Sequence, residues 1–208
     1  MSSILSRWRS RSPRIAAHSS GSTSEIGAQP SPLANKRVLV LGAGGVARPI
    51  VFGLKKRGAV TTVASRTLAR AEKLANAFEA KAVDWELRHR SPVDIIINCT
   101  PVGMHPNVDE SPVHKTFLKP AMLVFDTVYN PESTLLIKDA RSRNCLVITG
   151  VEMFVRQAML QFFLFTRKEA PAELMRDVLK RAIGPLKYSP PPPPRPDEAE
   201  EMDLNEAE

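Results

Sequence analysis

Cysteine is scarce in this sequence. Its 208 residues include two, Cys99 and Cys145, and neither belongs to a CxxC pair or a Cys/His cluster. This argues against a structural zinc site. Two isolated thiols suit a reducing compartment, so a cytoplasmic location is expected. No apolar run approaches the ~20 residues that cross a bilayer, which speaks against a membrane partner. No helix-turn-helix or RNA-binding signature is present, so nucleic acid is not expected as a partner either. The first 35 residues lack lysine and aspartate altogether, and Glu25 is their one acid.

Hydrophobic residues make up 43% of the chain, enough for a globular core. The formal net charge is +7, unevenly spread: from Arg195 to Glu208 seven acids and one arginine give −6, leaving +13 on the rest. A positive body attracts anions such as dinucleotide phosphates or carboxylates; an ordinary basic surface has the same composition. Residues 1–35 are rich in Ser, Arg, Ala and Pro, with poor periodicity, and read as a disordered leader. Their acid-poor start has a transit-peptide flavour, but an unstructured leader, or a mis-set start of the reading frame, is the better account. Residues 187–208 hold the run Pro190–Pro194 and the acidic end, and read as an extended, solvated tail.

Between these ends, residues 36–186 alternate short apolar runs with amphipathic segments. Strands are predicted at Arg37–Leu41, Val60–Ala64, Ala82–Val83, Val93–Asn98, Met122–Asp126 and Leu146–Thr149. Helices are predicted at Val46–Arg57, Leu68–Ala77, Thr134–Ser142, Val151–Arg167 and Pro171–Ile183. Alternation of this kind implies βαβ units and an α/β fold, a doubly wound, mostly parallel sheet with helices on both faces.

Gly42-Ala43-Gly44-Gly45-Val46-Ala47 follows the first strand and opens the first helix. Gly42 permits a tight turn, Gly44 and Gly45 let phosphate approach the backbone, and Ala47 lets the helix pack closely on the sheet. The free N–H groups and dipole of the helix start favour an anion. A purely structural turn would look similar, but the strand before and the helix after point to a dinucleotide. The second strand then ends without the carboxylate that accepts from an NAD ribose. Ser65, Arg66 and Thr67 stand there, with Arg70 one turn on. Hydroxyls and guanidinium suit a 2′-phosphate, so NADP(H) is the expected cofactor.

Three further stretches carry a resemblance. They are Asn98-Cys99-Thr100-Pro101-Val102-Gly103-Met104, Phe125-Asp126-Thr127-Val128-Tyr129-Asn130-Pro131, and Gly150-Val151-Glu152-Met153-Phe154-Val155-Arg156-Gln157. With the glycine loop and Ser65-Arg66-Thr67, in this order and spacing, the chain resembles the shikimate dehydrogenase family from about Lys36 to Ile183. The resemblance implies NADP-dependent reduction of 3-dehydroshikimate to shikimate, a step of aromatic amino acid biosynthesis. It implies that Thr100, Pro101 and Val102 line the ribose and nicotinamide. Gly150 and Met153 would lie beside the nicotinamide, and Tyr129 and Gln157 near the substrate. Ser65 replaces the family's common Asn, and Cys99 its frequent Ala. Each residue also has an ordinary structural reading: a strand end at Thr100-Pro101, a loop aromatic at Tyr129, core at Met153, a solvated position at Gln157.

By the same resemblance, proton transfer belongs to a Lys/Asp pair on an N-terminal substrate domain. No counterpart stands in residues 1–35, so catalysis by this chain alone is not expected. No catalytic residue and no metal ligand is assigned. The expectation is an oxidoreductase domain that works with a separate substrate-domain chain or is truncated. A non-catalytic NADP(H)-binding or interaction protein stays open as an alternative; the Thr-Pro-Val-Gly-Met stretch speaks against a glutamyl-tRNA reductase. Phe154, Phe162, Phe163 and Phe165 are expected to leave an apolar patch, favouring self-association.

Overall fold

The computed structural model describes residues 31–183. Most of the expected leader and the whole proline-rich and acidic tail lie outside the described residues. The leader boundary moves, however. Residues 31–35 already form a turn in which the Ala34 N–H donates to the Ser31 carbonyl (2.9 Å) and the Asn35 N–H to the Gly58 carbonyl (2.8 Å). Leu33 packs against the core, so the ordered domain starts before residue 36.

The elements follow in alternation. They are β1 (Arg37–Leu41), α1 (Ala47–Lys56), β2 (Val60–Ser65), α2 (Leu68–Ala77), β3 (Lys81–Asp84), β4 (Ile95–Asn98), β5 (Leu123–Asp126), α3 (Leu135–Ser142), β6 (Leu146–Ile148), α4 (Gly150–Thr166) and α5 (Ala172–Ile183). Single 3-10 turns occupy Trp85–Leu87 and Lys115–Phe117. All six strands are parallel, in the order β3-β2-β1-β4-β5-β6. This is the doubly wound order, with its topological switch between β1 and β4.

Alternate residues of the strands feed two cores, as a two-sided parallel sheet requires. On one face Val38, Val40, Val63, Ile95 and Ile97 pack under Ala47, Val51 and Leu54 of α1 and Ala71 and Leu74 of α2. On the other, Leu39, Leu41, Ile96 and Val124 meet Leu136 and Ala140 of α3 together with Val113, Leu118 and Met122. The last three belong to the β4–β5 crossover, which covers its face with a loop and one 3-10 turn in place of an α-helix.

The last two helices differ from the rest. Burial in α4 is confined to Gly150, Val151 and Val155 in its opening turns, and no residue of α5 is buried. Phe154, Leu160, Phe163, Leu164, Phe165, Leu174 and Val178 are exposed. The expected apolar patch is present and wider than the phenylalanines alone suggested, although Phe162 is half-buried. No helix among the described residues is long and apolar enough to cross a membrane.

Candidate functional site

The carboxyl ends of five adjacent strands bring the implied residues together. The Gly42 N–H donates to the Ala64 carbonyl of β2 (2.7 Å), the Cys99 N–H to the Leu41 carbonyl of β1 (2.8 Å), and the Thr127 N–H to the Asn98 carbonyl of β4 (3.0 Å). The glycine loop, Ser65-Arg66-Thr67, Thr100-Pro101-Val102 and Val128-Tyr129 therefore leave the sheet side by side. Gly150 follows β6, which pairs with β5 through Phe125 and Ile148. Ligands of open α/β sheets bind at this edge.

Gly42 has φ +99°, and a Cβ there would lie 3.0 Å from the Cys99 carbonyl oxygen, so both the turn and the neighbouring strand demand glycine. Above Gly44 and Gly45 the space is open. The start of α1 carries no side-chain cap and no acid, leaving its amide end to a ligand. Beside it lies an open cleft of about 310 Å³ lined by Ala43, Gly44, Gly45, Arg48, Arg70, Lys73 and Leu74. The cleft wall is thus cationic, with Arg48 from α1 facing Arg70 and Lys73 from α2. No carboxylate is paired with these three, or with Arg66, among the described residues. Arg48 also rests 5.6 Å over the Phe78 ring, which holds its head near the cleft.

Arg66 and Thr67 are exposed at the end of β2 and do not line the cleft. The Ser65 hydroxyl is turned to the backbone, accepting from the Thr67 N–H at 3.3 Å. Arg48 and Lys73 were missed in the sequence. Lys73 is three residues beyond Arg70, the same helix face, so its helical spacing carried the signal. A smaller depression, about 190 Å³, lies by Arg37, Val60 and Pro92 at the opposite, amino ends of β1 and β2, where this fold does not seat a dinucleotide.

A buried polar network organises the β4 and β5 ends. Asp126 is fully buried. One carboxylate oxygen accepts from Asn98 Nδ2 (3.0 Å) and the Val128 N–H (3.0 Å), the other from the Thr134 hydroxyl (2.6 Å). Asn98 Oδ1 accepts from the Thr100 hydroxyl (2.6 Å) and N–H (3.0 Å), and the Thr100 hydroxyl accepts from the Val102 N–H (3.2 Å). Burial pushes the Asp126 carboxyl up, while the bonds from Thr134, Val128 and Asn98 pull it back. Cys99, on the other core face, is a half-buried thiol pushed up to about 12 by desolvation and then by Asp126. It is a small hydrophobe here and no nucleophile.

At α4, a Cβ on Gly150 would fall 2.7 Å from the Thr127 carbonyl oxygen and closer still to that of Val128. The backbone of the β5 loop therefore runs directly against the helix start. Tyr129 is exposed and meets the Phe154 ring at 5.3 Å between centroids. Met153 is half-buried one turn into α4, and Gln157 is exposed a turn later. The Thr149 hydroxyl, also missed in the sequence, is buried at the start of α4 with no hydrogen-bond partner among the described residues. His105 is an exposed loop residue. Among the described residues no group of three His, Cys, Asp or Glu is arranged to hold a metal.

Open space over the glycines, a cation-lined cleft without acids and an orphaned buried hydroxyl all fit an elongated, phosphate-bearing ligand. Comparison with known proteins agrees. The Shikimate / quinate 5-dehydrogenase family matches residues 25–129, and the Shikimate 5'-dehydrogenase C-terminal domain matches residues 150–180. The bifunctional 3-dehydroquinate dehydratase/shikimate dehydrogenase of Arabidopsis thaliana is 42% identical over 166 residues, covering 78% of this chain and 28% of that protein. The shikimate dehydrogenase (NADP(+)) of Moorella thermoacetica is 37% identical, covering 73% of this chain and 55% of its own. A shikimate dehydrogenase crystallised with NADP+ superposes with a TM-score of 0.67 at 34% identity, over 73% of this chain and 56% of that one. The chain spans about half the length of most curated relatives it matches. On the strand order, the ordered motifs and these matches, this chain belongs to the shikimate/quinate 5-dehydrogenase family.

Proposed function

We propose that residues 31–183 form the NADP(H)-binding half of a shikimate dehydrogenase-type oxidoreductase that interconverts 3-dehydroshikimate and shikimate. The observation carrying this reading is the convergence of the glycine loop, the Ser65-Arg66-Thr67 turn, Thr100-Pro101-Val102, Tyr129 and Gly150 at one sheet edge. When bound, the dinucleotide supplies or accepts a hydride at its nicotinamide ring. The amide end of α1 and Gly42–Ala47 hold the diphosphate. Ser65, Arg66, Thr67 and Arg70 hold the adenosine 2′-phosphate, with Arg48 and Lys73 closing the cleft. Thr100, Pro101, Val102, Gly150 and Met153 bound the nicotinamide side, and Tyr129 and Gln157 face the substrate.

Reduction of the carbonyl also needs a proton. Asp126 has its oxygens committed to three internal donors and does not offer one. The Lys115–Asp139 ion pair (3.4 Å) joins the crossover to the far part of α3, which runs back toward the amino ends of the strands. As the family resemblance implies, the general acid belongs to a substrate domain outside the described residues, on this or another polypeptide. The exposed face of α4 and α5 suits such a domain, and in its absence suits self-association.

Calorimetry of the purified chain tests the reading. NADPH is expected to bind at least tenfold more tightly than NADH at equal salt, and Arg66→Ala to erase the difference. Absence of saturable binding of either dinucleotide overturns the proposal, and robust shikimate turnover by residues 31–183 alone overturns the missing-acid argument.

A further inference from the structure

We propose that Asp126 is a positioning residue: its buried carboxylate locks the three segments bearing Thr100–Val102, Tyr129 and Gly150–Met153 into one frame and thereby sets how the nicotinamide half is held. This rests on the proposed NADP(H) site and names a residue that touches neither cofactor nor substrate.

The connections run in three directions. Through Asn98, the carboxylate fixes the loop after β4. Asn98 Nδ2 donates to Asp126 (3.0 Å) and to the Val102 carbonyl (3.3 Å), and Asn98 Oδ1 takes both Thr100 donors. Through the Val128 N–H it fixes the loop after β5, whose carbonyl groups lie where only a glycine at 150 leaves room. That contact anchors the root of α4, and Tyr129, the next residue, meets Phe154. Through Thr134 it fixes the start of α3, because the same hydroxyl that donates to Asp126 accepts from the Ile137 N–H (3.3 Å). A buried carboxylate carries a desolvation cost that an apolar residue avoids. Here that cost is offset by bonds from three chain segments, which fix the geometry at the ligand end of the sheet. The adenosine half lies elsewhere, on β1, β2 and the start of α1, and none of the network's bonds reaches those elements. Damage to the network should divide the cofactor in two, sparing one half and loosening the other.

The test compares two ligands on the full chain: NADPH, and adenosine 2′,5′-bisphosphate, which lacks the nicotinamide half. For Asp126→Asn, NADPH affinity is expected to fall about tenfold, with loss of the nicotinamide fluorescence change, while the bisphosphate changes less than twofold. Thr134→Val removes a single donor and keeps Asp126; it should give a smaller loss of the same kind, and Thr134→Ser should restore the wild-type ratio. If Asp126→Asn does not fold, the Thr134 pair decides alone. Parallel weakening of both ligands, or no change in either, overturns the inference and leaves Asp126 as fold support. Failure of the wild-type chain to bind NADPH would instead overturn the proposed cofactor site, a different result.

Discussion

At the scale of single residues, the site depends on what two glycines leave out and what a few cations add. Gly150→Ala would drive a methyl into the Thr127 and Val128 carbonyl oxygens, backbone atoms that cannot swing aside. Overpacking of this kind costs on the order of 1–3 kcal/mol. A fall in Tm of several degrees is expected in thermal melts, with weaker NADPH binding because the root of α4 moves. Lys73→Ala should be nearly silent in the melt, since the side chain is exposed and lacks an acidic partner, yet should weaken adenosine 2′,5′-bisphosphate about fivefold. The loss should shrink as salt is raised, because it is screened charge that is removed; calorimetry at two salt concentrations checks both statements. The glycine loop and Arg70, which line the cleft, could be singled out in the sequence because their chemistry follows from local order, whereas Arg66 stands outside it. Lys73 and Arg48 could not, because facing each other across a cleft is a property of two packed helices. Asp126 could be seen but not understood: its partners Asn98, Val128 and Thr134 become neighbours only once β4 pairs with β5.

At the scale of elements, periodicity was a good guide to what is buried and a poor one to what covers it. Helix α2 begins and ends where its Ala/Leu spacing predicts, strand β1 likewise matches, and the other strands shift by one or two residues. The β4–β5 crossover had no periodic signal, and the structure uses a loop there, with Val113 and Leu118 doing the covering. The segment after β3 gives an element-level prediction. His89 packs edge-on to Phe117 with its Nε2 buried and without a partner among the described residues, and burial, then Arg88 and His114, lower its pKa from 6.5. Both folded and unfolded chains hold it neutral above that value, so its protonation in the unfolded chain alone costs stability as pH falls below 6.5. Asp94 acts the same way at lower pH: the Arg37 side chain and N–H hold its carboxyl well below 3.8, and its contribution is lost only as the carboxyl protonates. Asp126, raised by burial, has the opposite sign and partly offsets Asp94. Tm should therefore be flat between about pH 7 and 8, decline below 6.5, and decline again at alkaline pH where the unfolded chain's thiols ionise while Cys99 stays protonated. His89→Leu should remove that first decline and leave the one below pH 4, as melting curves across pH will show.

For the whole molecule, the balance between core and surface is unequal along the chain. The sheet and its first three helices make two closed cores, whereas α4 and α5 are joined by Arg176 of α5, which binds Glu152 of α4 (3.0 Å) and is steadied by Glu173 on its own helix (2.9 Å), and show apolar side chains outward. Exposed patches of this kind drive association. The isolated chain is expected to self-associate in light scattering, and Phe165→Glu, at a side chain 86% exposed, to shift it toward monomer without altering NADPH affinity. A monodisperse wild-type monomer would contradict this.

The buried footing of α4 is short. Seventeen residues make a rod of about 25 Å, and its fully buried positions end at Val155. Mechanically it is a cantilever, clamped where the β5 loop meets Gly150 and overhanging beyond. A tilt of a few degrees at the clamp would displace the tip by more than an ångström, so a shift of the β5 loop would be felt, through this lever, at the overhanging phenylalanines.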